Sequence, residues 1–91
     1  MKFKYELTPL LIEKAKDFGE FAHGGSQATI KLKDGTIFEQ AIISNCSVII
    51  AMRGYEDLPF ELNEIEDIYQ KEEDIWPKDR NGHIYWDEWK T

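Results

Sequence analysis

The Asp34-Gly35 dipeptide constrains the fold of this chain more than any other feature, because it directly follows an alternating stretch. Residues 28–33, Ala-Thr-Ile-Lys-Leu-Lys, alternate between apolar and polar side chains, which predicts a strand with one buried and one solvated face. Asp-Gly favours the tight turns of β-hairpins, since glycine adopts positive φ without steric cost. The sequence therefore predicts an antiparallel hairpin whose return strand covers about residues 36–44.

Three further segments extend this hairpin into a sheet. Residues 48–52, Val-Ile-Ile-Ala-Met, are continuously apolar, which is typical of a strand covered on both faces. The polar residues 45–47 before them indicate a turn. Residues 58–62 alternate again around Pro59, and a proline in a strand favours an edge position or the first residue. After a single helical turn, we expect a short final strand over 65–69.

A helix is predicted ahead of the sheet. Thr8 suits the N-cap, and Pro9 suits the first helical position, where its missing N–H is not needed. Gly24-Gly25 would end the helix. We therefore expect a helix over about residues 9–22. Its apolar stripe consists of Leu11, Ala15, Phe18 and Ala22.

These elements together predict one α+β domain over residues 1–91. An N-terminal helix would be followed by a small, strongly bent antiparallel sheet of about four to five strands. The sheet would cover about residues 27–70 and could curl into a partly open barrel. Residues 71–91 form an acidic, aromatic-rich C-terminal tail.

The order of these motifs resembles that of the Sm-like barrels. The resemblance covers about residues 9–70 and is carried by Leu32-Lys33-Asp34-Gly35 and by Ile65-Glu66-Asp67-Ile68. Within those barrels the chain resembles the small acidic Rof proteins, which inhibit the transcription terminator Rho. The resemblance implies a partly open Sm/SH3-like barrel and an acidic plug on a basic RNA-binding surface. The Trp-rich tail over 71–91 departs from the family's pattern, so no functional residue is carried over.

The net charge of −7 is unevenly distributed along the chain. Residues 1–33 contain six lysines and four carboxylates, whereas residues 56–74 contain nine carboxylates opposed only by Lys71. Such an acidic field repels phosphate backbones and attracts basic surfaces, which accelerates encounter with them. The alternative is a solvated acidic face that only keeps a small protein in solution.

Catalytic and metal-binding motifs are missing from the sequence. Cys46 has neither His23 nor His83 beside it in sequence to activate it as a nucleophile. A cysteine next to an apolar strand is more typical of packing. The sequence contains no His-Glu-x-x-His, Cys-x-x-Cys or EF-hand loop. We therefore expect a protein that is not an enzyme and that holds no metal or cofactor.

The sequence also indicates a compartment. A lone cysteine cannot form an internal disulfide and fits a reducing cytoplasm. No apolar segment follows residues 1–7 as it would in a signal peptide. No apolar run approaches the roughly 20 residues that span a bilayer. We expect a cytoplasmic protein that does not bind membranes.

The tail concentrates large aromatic residues among charged ones. Its members are Trp76, Tyr85, Trp86 and Trp89. Aromatic residues surrounded by charge are typical of interface anchors. The alternative is that some of them close the open end of the sheet as core residues, since a small domain needs its large residues there. Trp76 could pack inward while Trp86 or Trp89 is presented outward.

These observations lead to one functional hypothesis and one alternative. The hypothesis is an acidic protein-binding domain, an inhibitor or immunity-type protein that masks a basic, nucleic-acid-handling partner such as a bacterial nuclease toxin. Its expected binding residues are Tyr55, Glu56, Asp57, Glu61, Glu64, Glu66, Asp67, Trp86 and Trp89. The alternative is an Sm-like nucleic-acid-binding or assembly subunit. It would use a basic strip of Lys14, Lys16, Lys31 and Lys33, against which the net charge argues. The identity of the partner and the oligomeric state stay open.

Overall fold

A computed structural model describes residues 4–22, 24–75 and 83–86 of the chain. These residues form an α+β fold with one five-stranded antiparallel sheet. The strands are β1 (Glu20–Ala22), β2 (Gly25–Leu32), β3 (Ile37–Ser44), β4 (Val48–Met52) and β5 (Ile65–Tyr69). The helices are α1 (Pro9–Ala15), α2 (Glu72–Ile75) and a 3-10 turn (Leu62–Glu64). None of the helices in the described residues is long and apolar enough to cross a membrane.

Helix α1 begins at the predicted residue, Pro9, but it ends earlier than the predicted residue 22. Thr8 caps it by accepting a hydrogen bond from the Leu11 N–H (3.4 Å), and the last turn is reached at Ala15. The prediction of helix up to residue 22 is wrong. The Gly19 backbone instead exchanges two hydrogen bonds with the Gln70 side chain (2.8 and 2.9 Å), and β1 pairs with β2. Tertiary pairing of this kind overrides helical periodicity, which is a weak preference.

Strand β2 is the centre of the sheet. One of its edges pairs with β3 from Gly25↔Ser44 to Lys31↔Ile37. Its other edge is shared by β1 near its start and by β5 near its end. Strand β4 pairs with β3, and the described residues show no pairing between β4 and β5, so the sheet is not closed.

Both tight turns of the sheet lie where the sequence predicts them. At the β2–β3 turn, Gly35 has a φ of +93°, and the Asp34 carboxylate accepts a hydrogen bond from the Thr36 N–H (2.9 Å). At the β3–β4 turn, Asn45 and Cys46 have φ values of +51° and +61°. Positive φ at a cysteine is unfavourable, and the hydrogen bond from the Ser47 N–H to the Ser44 carbonyl (3.0 Å) fixes this turn.

The strand predicted over residues 58–62 does not form. This segment consists of bends that lead into the 3-10 turn, although Phe60 is buried and Leu58 is half-buried against the core. Pro59 has no N–H to donate to a ladder, and burial of alternate side chains satisfies the apolar pattern without strand pairing. The helical turn and the final strand that follow are confirmed as Leu62–Glu64 and β5.

The main core lies between α1 and the inner face of the sheet. Its central side chains are Leu11, Ala28, Ile30, Ile43, Ile49, Met52 and Ile68. A second, smaller cluster on β3 and β4 consists of Ile42, Val48, Ile50 and Ala51. Burial of β4 on both faces agrees with its continuously apolar sequence.

Two parts of the predicted tail pack on the sheet. Helix α2 contacts β2, and Asp74 is 1% exposed there. Tyr85 forms a bridge with Ala51, and the Trp86 N–H donates to the Ile50 carbonyl (2.8 Å). The described parts of the segment are therefore attached to the fold. Trp76 and Trp89 lie outside the described residues.

Candidate protein-binding site

The connection between β4 and β5 presents a run of carboxylates to solvent. We call residues 54–64 the acidic loop; this range contains no Lys or Arg. Gly54, with a φ of +86°, reverses the chain after β4, and the 3-10 turn returns it to β5. Its four carboxylates, on Glu56, Asp57, Glu61 and Glu64, all belong to exposed residues. The loop thus gathers four of the six predicted acidic binding residues on one connection.

Asp57 is fixed at the first half of the acidic loop. Its carboxylate accepts hydrogen bonds from the Tyr5 hydroxyl and from the Leu58 N–H (2.8 Å). The hydrogen bond from Tyr5, followed by that from Leu58, lowers the pKa of the Asp57 carboxyl below its usual value. Asp57 therefore carries a negative charge, held in one orientation, at neutral pH.

Replacing Tyr5 with phenylalanine tests this arrangement. Asp57 has a folded-state pKa below its unfolded value of about 3.9, so its contribution to stability is present above that pH and is lost as pH falls through the folded pKa. Tyr5→Phe keeps the aromatic ring and removes the donor, so the pKa of Asp57 should rise toward its ordinary value. Titration of the Asp57 carboxyl carbon by NMR measures this shift. An unchanged pKa would contradict the proposed contact.

The second half of the acidic loop is held by one of its own carboxylates. The Glu64 carboxylate accepts a hydrogen bond from the Glu61 N–H (2.7 Å), and the Glu64 N–H donates to the Glu61 carbonyl (3.0 Å). Such a reciprocal pair closes a helical turn. One oxygen of the Glu64 carboxylate is therefore engaged in a hydrogen bond within the turn. Glu56 and Glu61 are exposed at the surface.

The two predicted carboxylates on β5 lie outside the acidic loop. Glu66 faces Lys31 of β2 (3.5 Å), and Asp67 forms an ion pair with Lys14 of α1. Exposed ion pairs add little stability, but each cancels a negative charge locally. The structure therefore separates Glu66 and Asp67 from the other predicted acidic residues as internally paired groups.

Ion pairs also involve the lysines of the predicted basic strip. Three of its four lysines lie against carboxylates. The pairs are Lys14 with Asp67, Lys16 with Glu13 (2.6 Å) and Lys31 with Glu66 (3.5 Å). A strip neutralised in this way attracts phosphates less strongly than free lysines would, and the arrangement gives no support to the nucleic-acid alternative.

Tyr55 joins the acidic loop to a shallow groove. Its side chain is 40% exposed, and its ring meets Phe38 edge-on with centroids 5.7 Å apart. Phe38 in turn contacts Phe60 with a centroid distance of 5.0 Å. The groove has a volume of about 260 Å³ and is lined by Ile37, Phe38, Glu39, Gln40, Arg53 and Tyr55. Sequence reasoning identified only Tyr55 among these, because the others meet through the register of β3 and β4.

Gln40 holds an unusual backbone conformation in this groove. Its φ is +59°, which is uncommon for a residue other than glycine. Three contacts fix it. The Arg53 N–H donates to the Gln40 carbonyl (3.2 Å), the Arg53 guanidinium donates to the Gln40 side-chain oxygen (3.1 Å), and His83 Nε2 donates to the same carbonyl (2.9 Å). Strained residues persist where their surroundings determine them in this way, and they concentrate at functional sites.

Trp86 does not present its ring to solvent as an anchor would. It is 8% exposed, packs edge-on against Tyr5 with centroids 5.5 Å apart, and donates from Nε1 to the Tyr55 carbonyl (3.3 Å). The expectation of an outward-facing anchor at Trp86 is therefore corrected. The indole instead belongs to the main hydrophobic core. The corresponding prediction for Trp89 falls outside the described residues.

Cys46 sits at the β3–β4 turn, half-buried against the core. Burial, followed by the nearby charge of Glu20, raises the pKa of its thiol. This reduces the thiolate fraction that a nucleophile needs at neutral pH. Within the described residues, no three His, Cys, Asp or Glu side chains are grouped so that they could hold a metal ion.

Comparisons with protein-family models, with curated proteins and with solved structures find no match to this chain.

Proposed function

We propose that this chain is an acidic protein-binding domain of the inhibitor or immunity type, which masks a basic, nucleic-acid-handling partner such as a nuclease toxin. The observation that carries the proposal is the acidic loop, whose four carboxylates belong to exposed residues with no basic residue among them. A surface of one charge sign steers an oppositely charged partner and fixes its orientation. Glu56 and Glu61 serve as the pairing carboxylates, and Tyr55 supplies an aromatic contact beside them.

The proposal is supported by the way the acidic loop is held. Asp57 is tied to Tyr5, Glu64 closes the turn, and the Tyr55 carbonyl accepts a hydrogen bond from the buried Trp86. A surface fixed in this way loses little conformational entropy on binding. Trp86 would then contribute to binding indirectly, because its indole N–H supports the acidic loop at Tyr55.

The proposed architecture beneath the site is a partly open Sm/SH3-like barrel. This proposal is supported by the two pairings of β2. Strand β2 pairs with β3 on one edge and with β5 on the other, so the last strand of the sheet lies beside β2 as it would in a barrel. The opening lies between β4 and β5, and there the edge of β4 forms bridges with Glu6 and Tyr85 instead. The proposed compartment is the cytoplasm, which the lone Cys46 suits.

Charge reversal in the acidic loop tests the proposal. The partner is first recovered from a lysate of the source cells with tagged wild-type chain and identified by mass spectrometry. Its association with the Glu56→Lys/Glu61→Lys variant is then measured by stopped flow. We expect association to slow by roughly tenfold at low salt, because steering is lost, and the difference to shrink as salt rises.

The matched control is the Glu20→Lys/Glu72→Lys variant. It changes the net charge equally through exposed carboxylates outside the acidic loop. It should slow association much less. Equal slowing by both variants would mean that only the overall charge matters, and recovery of a partner that is not basic would contradict the proposed function outright.

A further inference from the structure

We infer that a polar recess between the β2–β3 turn and the 3-10 turn binds one arginine side chain of the partner. The recess is lined by Leu32, Lys33, Asp34, Asn63 and Glu64. The inference rests on the proposed function of the acidic loop. It adds which basic residue the partner presents and where that residue binds, since steering by charge does not distinguish arginine from lysine.

The recess continues the acidic loop onto the β2–β3 turn. Asn63 and Glu64 are the last two residues of the loop, and the Glu64 carbonyl accepts a hydrogen bond from the Lys33 N–H (2.8 Å). All of the lining residues belong to the continuous described range 24–75, and all except Leu32 are exposed. The volume of about 300 Å³ lies at the lower end for ligand sites and accommodates one long side chain.

Both carboxylates of the recess are oriented by the backbone. The Asp34 carboxylate accepts from the Thr36 N–H (2.9 Å) through Oδ1, and the Glu64 carboxylate accepts from the Glu61 N–H (2.7 Å) through Oε2. The second oxygen of each group is left to accept from a ligand. Two acceptors fixed in this way bind a donor at little cost in ordering.

The charge of the lining favours a cationic ligand. Lys33 is the only basic residue among the lining residues, and it faces the two carboxylates of Asp34 and Glu64. Within the part of the chain that the structure describes, Lys33 forms no ion pair that would neutralise either of them. The lining therefore keeps an excess of negative charge, which attracts a basic side chain.

The arrangement of the acceptors favours arginine over lysine. A guanidinium carries five N–H donors in a planar fork, so one group can donate to two carboxylates and to an amide oxygen such as that of Asn63. A lysine ammonium is compact and more strongly hydrated. The buried Leu32 is the apolar member of the lining, and the aliphatic stem of an arginine can pack against it.

Two synthetic peptides of equal charge separate the recess from the rest of the loop. Acetyl-Lys-Gly-Arg-Gly-Lys-amide and its counterpart with Lys in place of Arg are titrated into the ¹⁵N-labelled full chain at low salt. Both peptides should shift amides of the acidic loop. The Arg peptide should bind about fivefold more tightly, as expected for one additional charge-assisted hydrogen bond at an exposed site. It should also shift the amides of Asp34 and Gly35.

The recess variant for this test is Asp34→Asn/Glu64→Gln, which removes both charges and keeps an oxygen to accept each backbone N–H. It should reduce the preference for the Arg peptide to about twofold or less. The matched control, Glu56→Gln/Glu61→Gln, removes as many charges from the acidic loop outside the recess. It should weaken both peptides alike and keep the preference.

Removing the charge of Lys33 gives a test of opposite sign. Lys33→Met keeps the aliphatic stem and should tighten binding of the Arg peptide about twofold, because an exposed like charge is lost. Weaker binding would contradict the inference. Equal affinity of the two peptides for the wild-type chain, with loop shifts present, would overturn it and leave the proposed function intact. If neither peptide shifts the acidic loop, both fail.

Discussion

Replacing Trp86 with alanine is expected to lower the free energy of unfolding by about 4 kcal/mol, as removal of a buried tryptophan typically does. The indole is 8% exposed, and its loss leaves a cavity beside Tyr5. The Tyr55 carbonyl also loses the hydrogen bond from Nε1. Urea unfolding of the variant measures the change. If the alanine variant does not fold, Trp86→Phe retains most of the packing and should lose about 1–2 kcal/mol.

The matched control is Ile84→Ala in the same segment. Ile84 is 50% exposed, so the change should alter stability by about 0.5 kcal/mol or less. The comparison separates a core role for Trp86 from an anchor role. A Trp86→Ala variant of wild-type stability that has lost partner binding would contradict the core assignment and restore the anchor interpretation.

Replacing Asp74 with alanine is expected to lower the free energy of unfolding by about 3 kcal/mol, because it leaves buried donors without a partner. The Asp74 carboxylate accepts from Gln27 Nε2, from the Thr29 hydroxyl and from the Lys71 N–H, each at 2.9 Å. It thereby fastens α2 to the outer face of β2. Urea unfolding again gives the measurement.

Two control variants show whether the loss of stability is specific to the Asp74 carboxylate. Asp74→Asn preserves the shape and part of the hydrogen bonding, so it should lose less, about 1 kcal/mol. Glu73→Ala removes an exposed carboxylate from the same helix and should change stability by about 0.5 kcal/mol or less. If Asp74→Ala were no more destabilising than Glu73→Ala, the attachment of α2 through this carboxylate would be wrong.

The parts of the fold that the sequence predicted are those that depend on local chemistry. Asp34-Gly35 defines a hairpin through the φ of one glycine, and the apolar residues of β4 indicate burial on both faces. The errors come from contacts distant in sequence. The helix ends early because Gly19 bonds to Gln70, 51 residues away, and residues 58–62 bury alternate side chains without pairing as a strand.

The candidate site shows the same division. The excess of carboxylates in the sequence was enough to locate the acidic loop, because charged side chains are exposed without any particular packing arrangement. It could not show that Asp67 faces Lys14 or that Glu66 faces Lys31, because these pairs depend on how α1 and β2 meet β5. It also could not distinguish a buried indole from an exposed one at Trp86. The groove around Gln40 has no sequence signal, because glutamine is not a residue that predicts positive φ.

Binding of a basic protein by the acidic loop can be observed residue by residue with NMR. The ¹⁵N-labelled full chain is titrated with the recovered partner at low and high salt, and in parallel with a single-stranded RNA oligonucleotide. We expect the largest amide shifts to fall within residues 54–64 and to weaken as salt rises, and we expect RNA to leave the spectrum unchanged. Shifts centred on Lys14, Lys31 and Lys33 with RNA, and none in the acidic loop with the partner, would contradict the proposed function.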